Sequence, residues 1–331
     1  MSTVAIIGAG PAGISAASVL SKQKHNVLLF EKEQYTLENV LNKARVFPDF
    51  MEAEQLAESL NAMLQSPFIT LLSGTEITDI KVVETQWTLT DQHKQTHIAN
   101  AVILATGYTP FDAKRKEEYG YGIYNGVITS LDLEQQLKTQ KITNANGETP
   151  NKVVFLQCVG SRDEKTGNNY CSKVCCITAV KQAIEVKKMY PETEVYLFYI
   201  DLRMWGQSFE ELYRIAQEQY NVNFVRGRIS EAAATFDGKI QIKAEDTLVG
   251  TPLRMTTDLL VLMVGMEPSA STKRLAFLAQ SSGEYGFAES LDCQLHDNLT
   301  TQKGFLLAGA CKRPMSINDA INDGKAASTL V

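Results

Sequence analysis

The sequence predicts an α/β fold containing two Rossmann-like dinucleotide-binding domains. Three observations carry this expectation. An apolar strand, Val4-Ala5-Ile6-Ile7, runs into Gly8-Ala9-Gly10-Pro11-Ala12-Gly13 and then into a helical pattern over 14–20. A second alternation of strand and helix patterns begins near Val153 and closes with the apolar run 259–264. The chain is 331 residues long, enough for two separate cores.

The first unit opens on the glycine turn. Gly8 permits the tight turn, Gly10 lets a pyrophosphate approach the helix N-terminus, and Gly13 lets helix and strand pack closely. Pro11 and Ala12 complete the turn. A strand over 26–30 ends at Glu31, eighteen residues beyond Gly13. Glu31 is placed to accept hydrogen bonds from ribose hydroxyls, and Lys32 is grouped with it as a nucleotide contact. Residues 70–80 suggest a strand pair on the adenine side, where the backbone of Ile77 would touch the base. Next comes a strand, Ala101-Val102-Ile103-Leu104, followed by Ala105-Thr106-Gly107, where the chain would cross beside the nucleotide. Near the C-terminus, Gly304-Phe305-Leu306-Leu307-Ala308-Gly309-Ala310 reads as another strand. A helix over 317–330, starting at Ile317, would aim its dipole at the pyrimidine edge of a flavin. The Ala-Thr-Gly crossing and this returning strand and helix together point to FAD in the first unit.

Residues 108–150 are rich in charge, Gly and Tyr, with a helical pattern over 131–138 and a linker-like stretch over 139–150. The expected organisation is an FAD-binding domain (1–112 and 285–331), a connecting segment (113–150) and a second dinucleotide-type unit (151–284). That second unit would contain a strand over 153–156, a helix over 177–189, a strand over 194–199, a helix over 209–219 and a strand over 223–228. A hairpin over 239–243 and 253–257 and a strand over 259–266 would complete it. It lacks the glycine fingerprint.

In place of the fingerprint stands a stretch holding four of the six cysteines, Cys158, Cys171, Cys175 and Cys176. The spacing would put them in one long strand-to-helix loop. Adjacent Cys175 and Cys176 make a poor disulfide, and no C-x-x-C redox pair occurs in the chain. A group of thiolates in one polar loop suits an iron–sulfur centre. Zinc and inert packing are the alternatives, although the spacing is not that of zinc knuckles. Cys293 and Cys311 are expected to pack as small apolar residues, with Cys311 close to the flavin strand. Arg203, Arg226 and Arg228 could bind a phosphate or form ordinary ion pairs.

The net charge is −6 without a basic stripe, which argues against nucleic acid. The longest apolar run covers six residues, 259–264, so no membrane span is expected. The chain enters a strand at once, without a leader-like segment, and the cysteines read as reduced. A cytoplasmic location is the expectation.

The run Phe155-Leu156-Gln157-Cys158-Val159-Gly160-Ser161-Arg162-Asp163-Glu164 resembles the A subunit of heterodisulfide reductase. So do Tyr170-Cys171-Ser172-Lys173-Val174-Cys175-Cys176 and Ala179-Val180-Lys181. Supporting runs are Glu118-Tyr119-Gly120-Tyr121-Gly122, Val127-Ile128-Thr129-Ser130, Asp201-Leu202-Arg203 and Phe224-Val225-Arg226-Gly227-Arg228. The resemblance implies a two-domain flavoprotein core of the thioredoxin or glutathione reductase type. It implies one FAD and one [4Fe–4S] cluster ligated by Cys158, Cys171, Cys175 and Cys176. It also implies that Lys181 lies near the flavin N5 and tunes its reduced forms, whereas lysine by default faces solvent. Partner redox subunits carrying further iron–sulfur clusters and a homodimeric core complete the picture. The family's longer members add ferredoxin-type runs, C-x2-C-x2-C-x3-C, which do not occur here. The expected activity is electron transfer, splitting two-electron flavin chemistry into single-electron steps. A free-standing NAD(P)H-dependent disulfide reductase is the alternative, but it would need the missing second fingerprint and the missing C-x-x-C.

Overall fold

The N-terminal apolar run forms the strand Thr3–Ile7, centre of one of two five-stranded parallel sheets in the computed structural model, which describes residues 2–331. Its neighbours are Asn26–Phe30 on one side and Ala101–Leu104 on the other, flanked by Ile69–Leu72 and Phe305–Leu307. Register follows the sequence pattern, with Val4 opposite Val27 and Ala101, and Leu307 opposite Leu104. Every residue of Ala101–Leu104 and Phe305–Leu307 is buried. Such runs are expected where both faces of a parallel sheet are covered.

The second parallel sheet has the order Asn223–Arg226, Glu194–Tyr199, Lys152–Val159, Leu259–Val264, Val127–Thr129. Each unit also carries a three-stranded antiparallel meander. In the first unit this is Ile77–Val83, Gln86–Asp91 and Thr96–Ala99; in the second it is Ile229–Ala234, Ile240–Asp246 and Thr251–Thr257. No helix of the described residues is long and apolar enough to cross a membrane.

The chain forms two compact units. One comprises the residues up to Leu41, Glu54–Thr109 and Glu267–Val331; the other comprises Asn42–Ala53 and Pro110–Met266. These boundaries differ from those suggested by the sequence. The helix Ala270–Leu278 belongs to the first unit, because Leu275 and Ala276 are buried in that unit's core with Ile77, Leu104 and Phe305. Residues 113–150 are not a separate connector, since Val127–Thr129 pairs with Leu259–Val264 as an edge strand. The short excursion Asn42–Ala53 was not anticipated. It lacks periodicity, and the backbone N–H of its Ala44 donates to the Glu134 carboxylate at 2.8 Å.

Other differences are local. Residues 70–80 do not form a strand pair: Ile69–Leu72 joins the parallel sheet and Ile77–Val83 the meander. The expected single strand over 223–228 ends at Arg226, and a further strand starts at Ile229. The terminal strand stops at Leu307, and Gly309–Cys311 form a tight helical turn.

The first helix, Pro11–Lys22, and the last, Ile317–Ser328, pack backbone to backbone. A Cβ on Gly324 would stand 2.1 Å from the Ala12 carbonyl oxygen. Both helices must therefore separate to accept any side chain there. Gly324→Ala is expected to lower stability by about 1–3 kcal/mol, the usual range for overpacking; urea unfolding of the purified chain checks this.

Candidate functional site: a nucleotide turn and a thiol cluster

The turn at Gly8–Gly13 retains the features a pyrophosphate requires. The helix Pro11–Lys22 has Gly10 at its N-cap, no side-chain cap and no acid in its first turn. A Cβ at Gly10 would meet nothing within 4 Å, so the approach to the first-turn N–H groups is open. Gly8 has φ +111°, and a Cβ there would strike the Ala105 carbonyl oxygen at 2.4 Å. Gly13 lies against the Gly8 carbonyl at 1.9 Å from its would-be Cβ. The backbone N–H groups and positive helix end make this a ready anion site.

Glu31 sits at the end of its strand and bends back over the turn. Its carboxylate accepts the N–H of Ala9 at 2.8 Å and of Glu33 at 3.1 Å. Lys32 is exposed and paired with Glu33 at 3.2 Å. Ile77 is buried, and its carbonyl accepts from Arg274 at 3.0 Å. The Ala105-Thr106-Gly107 crossing is clamped by the N-terminus of the helix Ala270–Leu278. There Thr106 and Thr272 hydroxyls bond at 2.7 Å, and Ser269 donates to the Thr106 carbonyl at 3.1 Å. Gly309 donates its N–H to Asp323 at 2.6 Å, and Ala310 and Cys311 follow it, buried. Ile317 starts the last helix behind a Ser316–Asp319 capping box. Sequence reasoning missed Ser269, Thr272 and Asp323, which are distant in the chain and match no motif.

The thiol cluster depends on a β-bulge. Leu156 pairs with Leu262, but Val159 pairs with Val264, so the strand Lys152–Val159 holds one extra residue. Phe155 faces the helix-side core and Leu156 the opposite one; after the bulge, Cys158 faces the helix side again and Val159 the opposite. Cys158 takes a left-handed φ of +60°, and Arg162 and Lys173 are left-handed too, at +51° and +61°. This conformation is unfavourable for residues with side chains, and three instances fall within the cysteine stretch.

The helix that follows begins at Cys175, not Ile177, so Cys175 and Cys176 lie in its first turn rather than in a loop. Only Cys171 lies in the connecting stretch. Cys175 makes hydrogen-bonding contact with both Cys158 and Cys176. Cys175 is pushed well above the ordinary thiol range by these two partners and by burial. Cys158 is drawn down, chiefly by the hydrogen bond from Cys175 and also by Arg162. Cys176 is lowered to about 7 by Cys175, with help from the Arg203 backbone N–H. The middle thiol is thus the one least disposed to ionise, and its two neighbours are each drawn towards ionisation. Cys171 stands outside this series: it is half-buried, and its sulfur accepts the Lys173 N–H at 3.3 Å. The structure therefore brings Cys175 against Cys158 and against Cys176, and leaves Cys171 outside these contacts. Among the described residues, no group of three or more His, Cys, Asp or Glu is arranged around a single metal-ion position.

Positive charge surrounds these thiols. Arg162 interacts with Cys158 and Cys171 and bonds Asp201 at 2.7 Å, while Arg226 lies 3.7 Å from Asp201. Arg228 pairs with Asp163 at 3.3 Å, so it and Arg226 make ion pairs within the chain.

Lys181 lies further along the cysteine helix. It is buried at 1 % exposure, against the default of a solvated lysine. Its ammonium contacts Glu134 at 2.7 Å, Glu185 at 3.1 Å and the Arg45 carbonyl at 2.8 Å. Gln182 donates to the same Glu134 oxygen at 2.7 Å. Burial holds Glu185 above its ordinary pKa, opposed by Lys181. Glu134 and Glu185 escaped the sequence reading because each looks like an ordinary helix acid.

Two parallel-sheet units, one bearing an open phosphate turn, define a two-domain protein of the dinucleotide-binding class. A family model for pyridine nucleotide-disulphide oxidoreductases matches residues 2–324, and the chain belongs to that family. Within it, the chain is similar to the A subunits of heterodisulfide reductases, as the cysteine run suggested. It is 40 % identical over 238 residues to the A subunit of the H(2)/formate:CoB-CoM heterodisulfide,ferredoxin reductase of Methanococcus maripaludis, covering 70 % of this chain and 36 % of that protein. It is 41 % identical over 240 residues to the iron-sulfur A subunit of the CoB--CoM heterodisulfide reductase of Methanocaldococcus jannaschii, with the same coverage. The match thus spans about a third of these relatives' length. Thioredoxin reductase from T. acidophilum aligns with a TM-score of 0.68 at 18 % identity, covering 99 % of this chain and 96 % of that one. The Lactococcus lactis enzyme gives 0.67 at 20 % identity, covering 100 % and 97 %. At those identities the likeness is one of fold. Family membership supports FAD as the cofactor, and the open turn at Gly10 fits its pyrophosphate.

Two outcomes follow. Lys181→Met leaves Glu134 and Glu185 without their shared cation and is expected to cost about 3–5 kcal/mol near neutrality. Glu185 protonates readily because its pKa is already raised, so the deficit shrinks as pH falls; denaturation at several pH values checks both features. In the purified chain, exposed Cys293 is expected to react rapidly with a thiol reagent, contrary to its expected packing role. Cys311 resists, being fully buried, bonded to the Leu104 carbonyl at 3.1 Å and pushed up to about 12 by burial. Mass-resolved labelling distinguishes the two.

Proposed function

We propose that the chain is the FAD- and [4Fe–4S]-containing electron-transfer unit of a heterodisulfide-reductase-like complex, with Cys158, Cys171, Cys175 and Cys176 as cluster ligands. The observation that carries this reading is the convergence of Cys158, Cys175 and Cys176 at the strand-to-helix turn of the second unit. In the first unit the equivalent turn is the open phosphate turn. Each cysteine of a [4Fe–4S] centre binds its own iron, so the four thiols need not converge on a single ion position. The lowered pKa values of Cys158 and Cys176 favour the thiolate that a ligand must present.

FAD exchanges two electrons and an iron–sulfur cluster one, so together they convert between the two modes. The chain's own residues have distinct tasks. The first-turn N–H groups of Pro11–Lys22 bind the flavin pyrophosphate, and Glu31 orders the turn and accepts from the ribose. Gly309, Ala310 and Ile317 line the flavin end. Lys181, ion-paired with Glu134 and Glu185, is assigned to stabilising negative charge on reduced flavin. Arg162 and the backbone N–H groups of Lys173 and Arg203 offset the negative charge gathered on the thiolates. Partner subunits would supply and take away the electrons. The donor and acceptor are chemically open to any low-potential carrier.

The test is anaerobic purification with reconstitution, measuring flavin, iron and acid-labile sulfide. About four irons and four sulfides per flavin are expected for a [4Fe–4S] centre. Serine in place of any one of the four cysteines is expected to reduce iron content while leaving flavin bound. Zinc in place of iron, or rapid complete bleaching of the isolated chain by NADH with no iron present, overturns the reading.

A further inference from the structure

We infer that Gln157 and Arg162 donate N–H···S hydrogen bonds to the iron–sulfur centre and thereby set its reduction potential, an assignment that rests on the cluster reading above. Among the described residues, nine buried side-chain nitrogen and oxygen atoms lack a hydrogen-bond partner. Four of them lie on three residues beside Cys158: Nε2 and Oε1 of Gln157, Oγ of Ser161 and Nη1 of Arg162. A fifth, on Asp163, is neutralised by Lys116 at 2.7 Å. Buried donors are nearly always paired, because leaving one unpaired costs as much as losing a hydrogen bond. Orphans concentrated within six residues therefore point to an acceptor at that place.

The strand geometry says which way Gln157 faces. Phe155 and Leu156 alternate between the two cores, so Gln157 falls on the same side as Phe155, towards the cysteine helix. The extra residue of the bulge then puts Cys158 on that side as well. Gln157 is only 4 % exposed, and no protein group meets either end of its amide. Arg162 is anchored from the other direction. Its Nη2 bonds Asp201, its backbone N–H bonds the Tyr170 carbonyl at 2.9 Å, and its guanidinium faces Cys158 and Cys171. This leaves Nη1 as a fixed, buried donor at the thiols. Two buried donors within four residues of Cys158 match the needs of sulfur ligands, whose charge grows when the centre takes up an electron. Hydrogen bonds to the sulfurs stabilise that reduced form and raise the potential. Both are positioning residues, acting through the sulfurs.

The test compares wild type, Gln157→Leu, Arg162→Lys and Arg162→Met as full chains. Two readouts are used: thermal unfolding of each metal-free chain, and the midpoint potential of each reconstituted chain by dye-equilibrated EPR titration, with iron content measured alongside. Gln157→Leu removes an unpaired amide, so the metal-free variant is expected to melt higher than wild type, while its reconstituted centre titrates at a more negative potential. Arg162→Met is expected to shift the potential negative, with Arg162→Lys between it and wild type because the charge is kept. An unmoved potential in iron-loaded Gln157→Leu and Arg162→Met overturns this assignment alone. A metal-free Gln157→Leu that melts lower than wild type also overturns it, since the amide then has a partner in the protein. A wild-type chain that takes up no iron ends the cluster reading and this assignment with it.

Discussion

One extra residue in the central strand of the second unit is the constraint on which the site depends. A regular strand ending at Val159 would turn Cys158 into the opposite core, away from the helix Cys175–Met189. The bulge between Leu156 and Val159 reverses that side chain and lets it meet Cys175 and Cys176. The left-handed conformation of Cys158 is the local cost of that reversal, and the buried strands Lys152–Val159 and Leu259–Val264, paired on either side of the bulge, hold it in place. The first unit solves the equivalent problem with glycines, which allow the chain to double back within hydrogen-bonding distance of a phosphate. Similar strand-to-helix turns therefore present different groups, bare backbone in one unit and sulfur in the other.

Charge is managed differently in the two halves of the second unit's site. Around the thiols, Arg162, Arg203 and Arg226 act on a single aspartate, Asp201, leaving an excess of positive charge beside the cysteines. Along the same helix, Lys181 faces two buried carboxylates, and Gln182 fixes one of them. A cation paired this closely with two buried acids is held in place, and Arg45 lies 3.6 Å from Glu185 as a second positive partner.

Most of the fold was legible in the sequence. The glycine turn, the strand Asn26–Phe30, the strand Glu194–Tyr199 and both main helices of the dinucleotide units follow from local periodicity. The misreadings lie where partners are remote. Residues 70–80 look like one hairpin because both segments are apolar and close in sequence, yet their partners lie in different sheets. The helix Ala270–Leu278 looks like part of the second unit until Leu275 is seen in the core of the first. Of the candidate site, the cysteines and the phosphate turn were visible as motifs. Glu134, Glu185, Gln157, Ser269 and Thr272 were not, because an isolated polar residue in a helix or strand carries no sign of burial.

The sequence by itself determined the fold class, the nucleotide turn and the set of residues able to present sulfur. Those depend on spacing and residue type within short stretches, where the backbone has few alternatives. Only the tertiary structure decided which cysteines meet, which lysine is buried and which polar atoms lack partners. Each of those outcomes rests on side-chain direction and on contacts between segments tens to more than a hundred residues apart, such as Lys181 with Arg45. A shift of one residue in a strand inverts the direction of every side chain that follows, and no local pattern announces it.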